Sequence, residues 1–361
     1  MSSDILFIDY FSELRKSINK ELQKFMDEQL RLISDKPFLE YYWQQVYNFL
    51  FSGGKRIRPV LMSLCYNAIK PSEINENVYR VSLSIELLHN ASLIHDDIMD
   101  KAETRRGIKA FHLIFKDYAN DNYGTAINAD DYGLAMGILG GDFVYNLAYK
   151  ALHNSTFSPE ITVKLVDEFN EGFLNVVQGV IYETDLMGRF EVTEKEYFDM
   201  IKGKTAALFK ASAAMGAILA EGTESQLHAL SNFALNMGLA FQVVDDIIGT
   251  FGNPKKTGKP IDSDIKEGKK TLLLIKAMEN ADEEQHKKLS KIVGNRNATE
   301  SDIEVVREIM RTTGAYDYTK EKANELFKSS IYFLEKAEPN FDKTFKNYLV
   351  ELAKLGVHRE K

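Results

Sequence analysis

The feature that most constrains this chain is its scarcity of helix breakers. Only 7 prolines fall in 361 residues, and apolar side chains recur at helical spacing over long runs. An interior proline removes a backbone hydrogen bond and clashes with the preceding turn, so few prolines leave room for long helices. Residues 8–33 alternate apolar and charged positions with a period near 3.6, through Ile8, Phe11, Leu14, Ile18, Leu22, Phe25 and Leu30. Residues 76–99 are apolar around most of the helix circumference, from Val78, Val81, Leu83 and Ile85 to Leu93, Ile94 and Ile98, as in a helix buried inside a bundle. The same period covers about 159–186, 193–220, 223–251 and 302–336, and strand-like alternation is hard to find. The expectation is an all-α fold: one domain over 1–361, a large helical bundle around a central cavity. The hydrophobic content of 44% is ample for such a core.

Three segments interrupt the helical pattern. Residues 117–131 are polar and turn-rich, 252–270 form a Gly/Lys/Asp loop, and 292–302 read as a surface linker. With 45 Lys plus Arg against 53 Asp plus Glu, the net charge is −8. That balance gives no overall attraction to nucleic acid, so any bound anion must be held by local basic clusters. The one cysteine, Cys65, excludes an intrachain disulfide framework and a cysteine metal site, which fits a reducing cytoplasm. No signal peptide is evident at the start, and no uninterrupted apolar stretch of about 18 residues suggests a spanning helix.

Two aspartate clusters carry the functional signal. Asp96 and Asp100 in His95-Asp96-Asp97-Ile98-Met99-Asp100 lie four residues apart on one helix face, with Asp97 to the side. Carboxylates so spaced suit Mg²⁺, which takes oxygen ligands and shares them with substrate phosphates and water. A charged helix end in solvent is the alternative, although apolar residues directly precede these acids and charge near a core needs partners. The second cluster, Phe241-Gln242-Val243-Val244-Asp245-Asp246, again ends an apolar run. Facing clusters could hold several metal ions around a diphosphate.

Basic residues complete the set. Gly53-Gly54-Lys55-Arg56-Ile57-Arg58-Pro59 opens a helix, where backbone N–H groups favour an anion and Arg58 offers a planar fork. An ordinary exposed turn is the other reading. Arg105-Arg106-Gly107 follows the first acids by five residues, Lys204-Thr205 sits in a small-residue helix, and Lys259, Lys269 and Lys270 flank a loop able to close over phosphate. Each of these alone reads equally as solvated surface.

Taken in order, Gly53-Gly54-Lys55-x-x-Arg58-Pro59, Asp96 to Asp100, Arg105-Arg106-Gly107, Gly141-Asp142, Lys204-Thr205, Phe241-Gln242-x-x-Asp245-Asp246 and Gly258-Lys259 to Thr271 resemble the trans-isoprenyl diphosphate synthases. The resemblance covers about residues 45–275, and the short Asp96–Asp100 spacing is similar to the archaeal and long-chain branches. It implies an enzyme that couples isopentenyl diphosphate to an allylic diphosphate, usually as a homodimer, with three Mg²⁺ ions. Asp96 and Asp100 would bind two ions and Asp245 a third, with Asp246 in support. Arg105, Lys204 and Lys269 would hold the allylic diphosphate, with Lys259 at the closing loop. Lys55, Arg58, His89 and Arg106 would hold isopentenyl diphosphate, and His358-Arg359-Glu360-Lys361 resembles the tail that closes that subsite. Asp97, Thr205 and Gln242 belong to the same motifs, and Phe241 would face the allylic cation or simply pack in the core.

Three departures from the family pattern stand out. Gly249 replaces a third aspartate. Gly179-Val180-Ile181-Tyr182-Glu183 stands where Gly-Gln-x-x-Asp is usual, with Glu183 as the candidate replacement for the aspartate. An insertion lies between His112 and Tyr132, near 115–131. Rim flexibility and a dimer contact are both compatible with the insertion. Ala91 and Ser92, about one turn before Asp96, would form a small-residue floor for the growing chain and imply a product of twenty carbons or more. Tyr145 and Tyr149 are candidates for a deeper floor. A class I terpene cyclase and a non-catalytic partner subunit are the competing readings. The cyclase would normally carry an Asn/Asp-Ser/Thr-Glu second motif and need no Lys55, Arg58 or Arg106, and the partner subunit would usually have lost its aspartates, so both fit poorly.

Overall fold

A computed structural model of the chain describes residues 3–31, 36–72, 74–153, 156–189, 191–252 and 262–357. Among these residues the fold is all-α apart from one short hairpin, as the helical periodicity predicts. The chain divides into two compact units: Met1–Asn67 with Pro71–Phe169, and Ala68–Lys70 with Asn170–Lys361.

The first unit is built on α1 (Ser3–Leu30), α2 (Pro37–Phe51), α3 (Ile57–Ile69), α4 (Glu76–Met99), α5 (Phe111–Tyr123) and α6 (Ala129–His153). Helix α4 is its axis. Asn75 caps it, the side chain accepting from the Val78 N–H, so the helix begins where the apolar run begins. Val78, Val81, Leu83, Ile85, Leu87, Leu88, Ala91 and Ile94 are all buried, with α1 and α6 among the covering helices.

The expected break at 117–131 is shorter than the polarity suggested. Helix α5 runs on to Tyr123 because Phe111, Phe115 and Ala119 form a buried i, i+4, i+8 stripe. Phe115 packs against Tyr41 and Tyr42 while the polar residues face outward. The break comes at Gly124, whose φ of +53° ends the helix, and Asn128 then caps α6 by accepting from the Asp130 and Asp131 N–H groups.

The second unit contains most of α7 (Pro159–Met187), then α8 (Glu194–Ile201), α9 (Ala207–Leu219), α10 (Glu224–Phe251), α11 (Ser263–Glu267), α12 (Leu272–Asn280), α13 (Glu283–Ile292), α14 (Glu300–Thr312), α15 (Ala315–Leu334) and α16 (Lys343–Val357). Capping boxes at Thr193 and Thr223 start α8 and α10. The expected helix over 302–336 is two helices, divided at Gly314 with φ +76°. Helix α10 is long and apolar enough to cross a membrane by length and composition, but more than half of its apolar window is buried against neighbouring helices.

The run 193–220 is also interrupted. Residues Lys202–Ala206 form a π-turn between α8 and α9, which displaces Lys204 and Thr205 from regular helical register. Glycines let other helices approach this turn closely. A Cβ on Gly179 would lie 2.1 Å from the Lys204 backbone nitrogen, and one on Gly238 2.8 Å from Ala206 Cα. Gly179→Ala therefore forces α7 off the turn. The expected loss is about 1–3 kcal/mol, read as a lower urea midpoint at unchanged slope; an unchanged midpoint would contradict the close crossing.

Candidate active site

In the first unit, the C-terminal end of α4 presents Asp96 and Asp100 on one face, both half-buried. Asp97 points the other way and is fully buried. Arg105 donates to its Oδ1 through Nε at 2.7 Å and again through Nη2. Burial pushes the Asp97 carboxyl up, and the Arg105 guanidinium pulls it back. The structure thus engages Arg105, expected on the allylic diphosphate, with Asp97, and gives Asp97 the task of holding it. Gly141 gives room to His95: an added Cβ would meet the ring Nε2 at 2.0 Å. The same nitrogen lies 3.1 Å from the Ile138 carbonyl and 3.8 Å from Asp142.

Two loops frame the basic cluster of this unit. Thr104–Arg105 and Ile108–Lys109 pair as an antiparallel hairpin. Its two-residue turn, Arg106-Gly107, has φ of +53° and +79°, the type I′ geometry that suits tight hairpins. Gly53 and Gly54, at φ +136° and +122°, lead into α3, and Arg58 stands in its first turn. Arg106 Nη1 donates to the Gly53 carbonyl at 3.0 Å and to Asn90 Oδ1 at 3.1 Å. His89, on α4, has its imidazole pushed well below the ordinary value by burial and by Arg58, Arg106, Arg105 and Arg56. Arg56 is buried and paired with Glu86 at 2.6 Å. Glu86, Asn90 and Arg56 escaped the sequence reading, though a lone glutamate amid the apolar residues of α4 was a legible signal.

Ala91 is buried on α4, and Ser92 is half-buried with its hydroxyl donating to the His89 carbonyl at 2.9 Å. The Tyr145 ring stacks on Phe169, and Tyr149 is exposed.

In the second unit, the end of α10 places Asp245 half-buried and Asp246 buried. Tyr197, missed from the sequence, donates to Asp246 Oδ2 at 2.7 Å, and Gln242 donates to Oδ1 at 2.8 Å. Thr205 donates in turn to Gln242 Oε1 at 2.7 Å. Lys204 forms an ion pair with Glu183, so the glutamate stands beside the motif lysine. Gly249 faces another carboxylate: an added Cβ would lie 2.6 Å from Asp264 Oδ2. Lys269 lies 3.8 Å from Asp264 and 3.1 Å from Glu267. Phe241 packs against the Phe209 ring at 5.3 Å and against Gly356, a core contact. Lys259 and His358–Lys361 lie outside the described residues.

Mg²⁺ suits these donors. Each unit offers its own half-buried carboxylates at a helix end, Asp96 and Asp100 in the first and Asp245 in the second. A cation that keeps several waters and takes one or two carboxylates plus phosphate oxygens fits such a set. Burial, then Asp264 and Asp245, push the Asp246 carboxyl up to about 8, against the hydrogen bonds from Tyr197 and Gln242. A nearby cation would reverse that shift.

A raised carboxyl pKa means the folded chain holds this proton more tightly than the unfolded chain. Its stabilising contribution is complete below the ordinary carboxylate range and is lost as pH rises to about 8. In metal-free protein, the Tm of Asp246→Asn relative to the wild type is therefore expected to climb between about pH 5 and pH 8. A constant difference across that range would contradict the buried, protonated Asp246.

Known proteins resemble this chain along most of its length. Residues 40–310 match the polyprenyl synthetase family model. The geranylgeranyl diphosphate synthase of Saccharolobus solfataricus is 33% identical over 366 aligned positions, covering 100% of each chain. The geranylfarnesyl diphosphate synthase of Aeropyrum pernix is 32% identical, covering 75% of this chain and 80% of its own. Among solved structures, a geranylgeranyl pyrophosphate synthase from Corynebacterium glutamicum, complexed with isoprenyl diphosphate and magnesium, superposes with a TM-score of 0.90 at 28% identity, covering 96% of this chain and 99% of its own. The chain belongs to the polyprenyl synthetase family.

Proposed function

We propose that this chain is a Mg²⁺-dependent trans-prenyltransferase that condenses isopentenyl diphosphate with an allylic diphosphate, head to tail, to give geranylgeranyl diphosphate or a longer product. One observation carries the reading. A single unit holds both the Asp96–Asp100 carboxylate pair, suited to a metal-bound diphosphate, and a separate basic cluster of Arg58, His89 and Arg106, suited to a second diphosphate without metal. A reaction that consumes two diphosphate esters needs both.

In this reading Asp96 and Asp100 would hold two Mg²⁺ ions and Asp245 a third, and Lys204, Lys269 and Lys259 would bind the allylic diphosphate. Bound there, Mg²⁺ neutralises the charge that grows on the diphosphate as the allylic C–O bond breaks. Asp97 orients Arg105 toward that charge. Asp246, fixed by Tyr197 and Gln242, holds the end of α10 in register for Asp245. Glu183 takes the place of the usual aspartate at Lys204, and Asp264 brings a carboxylate to the face that Gly249 leaves open. Lys55, Arg58, His89 and Arg106 bind isopentenyl diphosphate, so that its double bond meets the allylic cation. The proton then lost goes to the released diphosphate, and no side-chain base is required.

A homodimer is part of the same reading. Leu134, Ile138 and Leu139 on α6, and Leu174, Val177 and Ile181 on α7, are exposed apolar side chains that a second copy would cover. The cytoplasm suits Cys65, a buried thiol with its pKa pushed up by burial.

The test is product analysis by mass spectrometry with isopentenyl diphosphate, Mg²⁺ and, separately, dimethylallyl, geranyl and farnesyl diphosphates. Elongation to twenty carbons or more is expected, and chelation of Mg²⁺ abolishes it. A cyclic hydrocarbon from primer alone would point to a cyclase, and no elongation by folded protein to a partner subunit. Ala91→Phe narrows the buried face of α4 and is expected to shorten the product by at least one isoprene unit; an unchanged length would remove Ala91 from the chain-length floor.

A further inference from the structure

We propose that Glu86 and Asn90 form a positioning relay inside α4 that fixes Arg106 and the Gly53-Gly54 loop in the shape that receives the isopentenyl diphosphate. The proposal rests on the basic-cluster assignment made above. Glu86 and Asn90 lie one helical turn apart, and both side chains are buried. Glu86 Oε1 accepts from Arg56 Nη1 at 2.6 Å and from Asn90 Nδ2 at 3.0 Å. The opposite end of the Asn90 amide, Oδ1, accepts from Arg106 Nη1, which also donates to the Gly53 carbonyl.

The chemistry of each member follows from its neighbours. A carboxylate only accepts and a guanidinium only donates, so the group joining Glu86 to Arg106 must donate on one side and accept on the other. An amide does both, whereas an aspartate at position 90 would set two carboxylates against each other. The Arg56 guanidinium closes the other arm: beyond Glu86 it donates from Nε to Asn19 Oδ1 at 3.0 Å and from Nη2 to the Leu50 carbonyl at 2.7 Å. Both loops thus end on α4 through an arginine whose backbone has positive φ, Arg56 at +54° and Arg106 at +53°. Among the described residues, Arg106 spends Nη1 on these bonds and makes none through Nε or Nη2. The relay therefore holds the guanidinium by one nitrogen and leaves the rest of the fork to the ligand.

Without the relay, Arg56 would lose its buried partner and Arg106 its bond to α4, and Arg56 and Arg106 would repel each other with less buried counter-charge. The loops would then have to be ordered by the substrate, and that ordering weakens binding. The expected signature is selective. Asn90→Ala raises KM for isopentenyl diphosphate about tenfold and leaves KM for the allylic primer within about twofold, with kcat little changed.

A double-mutant cycle separates positioning from general damage. The wild type, Asn90→Ala, Arg106→Ala and the double variant would be compared by steady-state kinetics and by calorimetric titration of isopentenyl diphosphate in the absence of primer. If Asn90 acts through Arg106, the double variant matches Arg106→Ala. A full extra factor in the double variant, or a rise in both KM values alike, would overturn the relay. Glu86→Gln, which keeps the shape and removes the charge, should shift the isopentenyl KM in the same direction. Should it fail to fold, Asn90→Ala still decides, because it leaves the Arg56–Glu86 pair intact. Wild-type protein that elongates no primer would overturn the proposed reaction, and the relay with it; wild-type elongation with an additive cycle would overturn the relay alone.

Discussion

Charge inside a mostly buried helix needs a partner, and from Glu86 to its C-terminal end α4 carries acids at three depths. Glu86 lies deep and is met by Arg56. Asp97, near the end, is equally shielded and is met by Arg105. Asp96 and Asp100, at the tip, are half-buried. Removing one member of a buried ion pair costs about 3–5 kcal/mol, because the remaining charge stays in a poorly solvating medium. The two inner acids are therefore obliged to draw in arginines, and each arginine brings a loop with it: Arg56 the Gly53-Gly54 turn, Arg105 the 104–109 hairpin. The architecture of the basic cluster is in this sense a consequence of acids placed inside an apolar helix.

The adjacent aspartates divide their work for the same reason. Successive helical residues point about 100° apart, so one of two neighbours faces inward when the other faces out. On α4 Asp97 turns in to Arg105; on α10 Asp246 turns in to Tyr197 and Gln242. In each pair the inward carboxylate anchors a neighbouring element and the outward one keeps access to solvent. The two helices then diverge. Four residues on from Asp96 stands Asp100, but four residues on from Asp245 stands Gly249, and the space its side chain would fill is approached by Asp264 from α11. A carboxylate is present there by tertiary contact where local sequence lacks it.

The legible parts of the sequence were those with local grammar. Helix α4 begins and ends where the apolar run between Asn75 and Asp100 predicted, because cap and periodicity agree. The acid motifs were legible because i, i+4 spacing by itself sets two side chains on one face. The path of α5 through residues 117–123 was missed because polar residues outnumber the Phe111–Phe115–Ala119 stripe that holds it. The π-turn at Lys202–Ala206 was missed because the close crossings that accompany it, at Gly179 and Gly238, lie on other helices. The same holds for Tyr197 with Asp246 and Arg56 with Glu86, which are separated by 49 and 30 residues. A sequence shows that a buried charge needs a partner; it does not show which of several distant candidates arrives.

Backbone strain gives a further reason to regard the basic cluster as pre-shaped. The left-handed region costs a residue with a side chain roughly 1–2 kcal/mol, and Arg56 and Arg106 both occupy it. Glycine or asparagine would relieve the turns, but neither could reach Glu86 or Asn90. The strain is small beside the loss from an unpartnered buried Glu86, so the side-chain bonds decide the backbone conformation rather than the reverse. The cluster is held in place by interactions with α4 that exist before any anion binds. On the proposed assignment, a diphosphate entering it would meet donors already aimed, and the free energy of binding would not be spent on folding two loops.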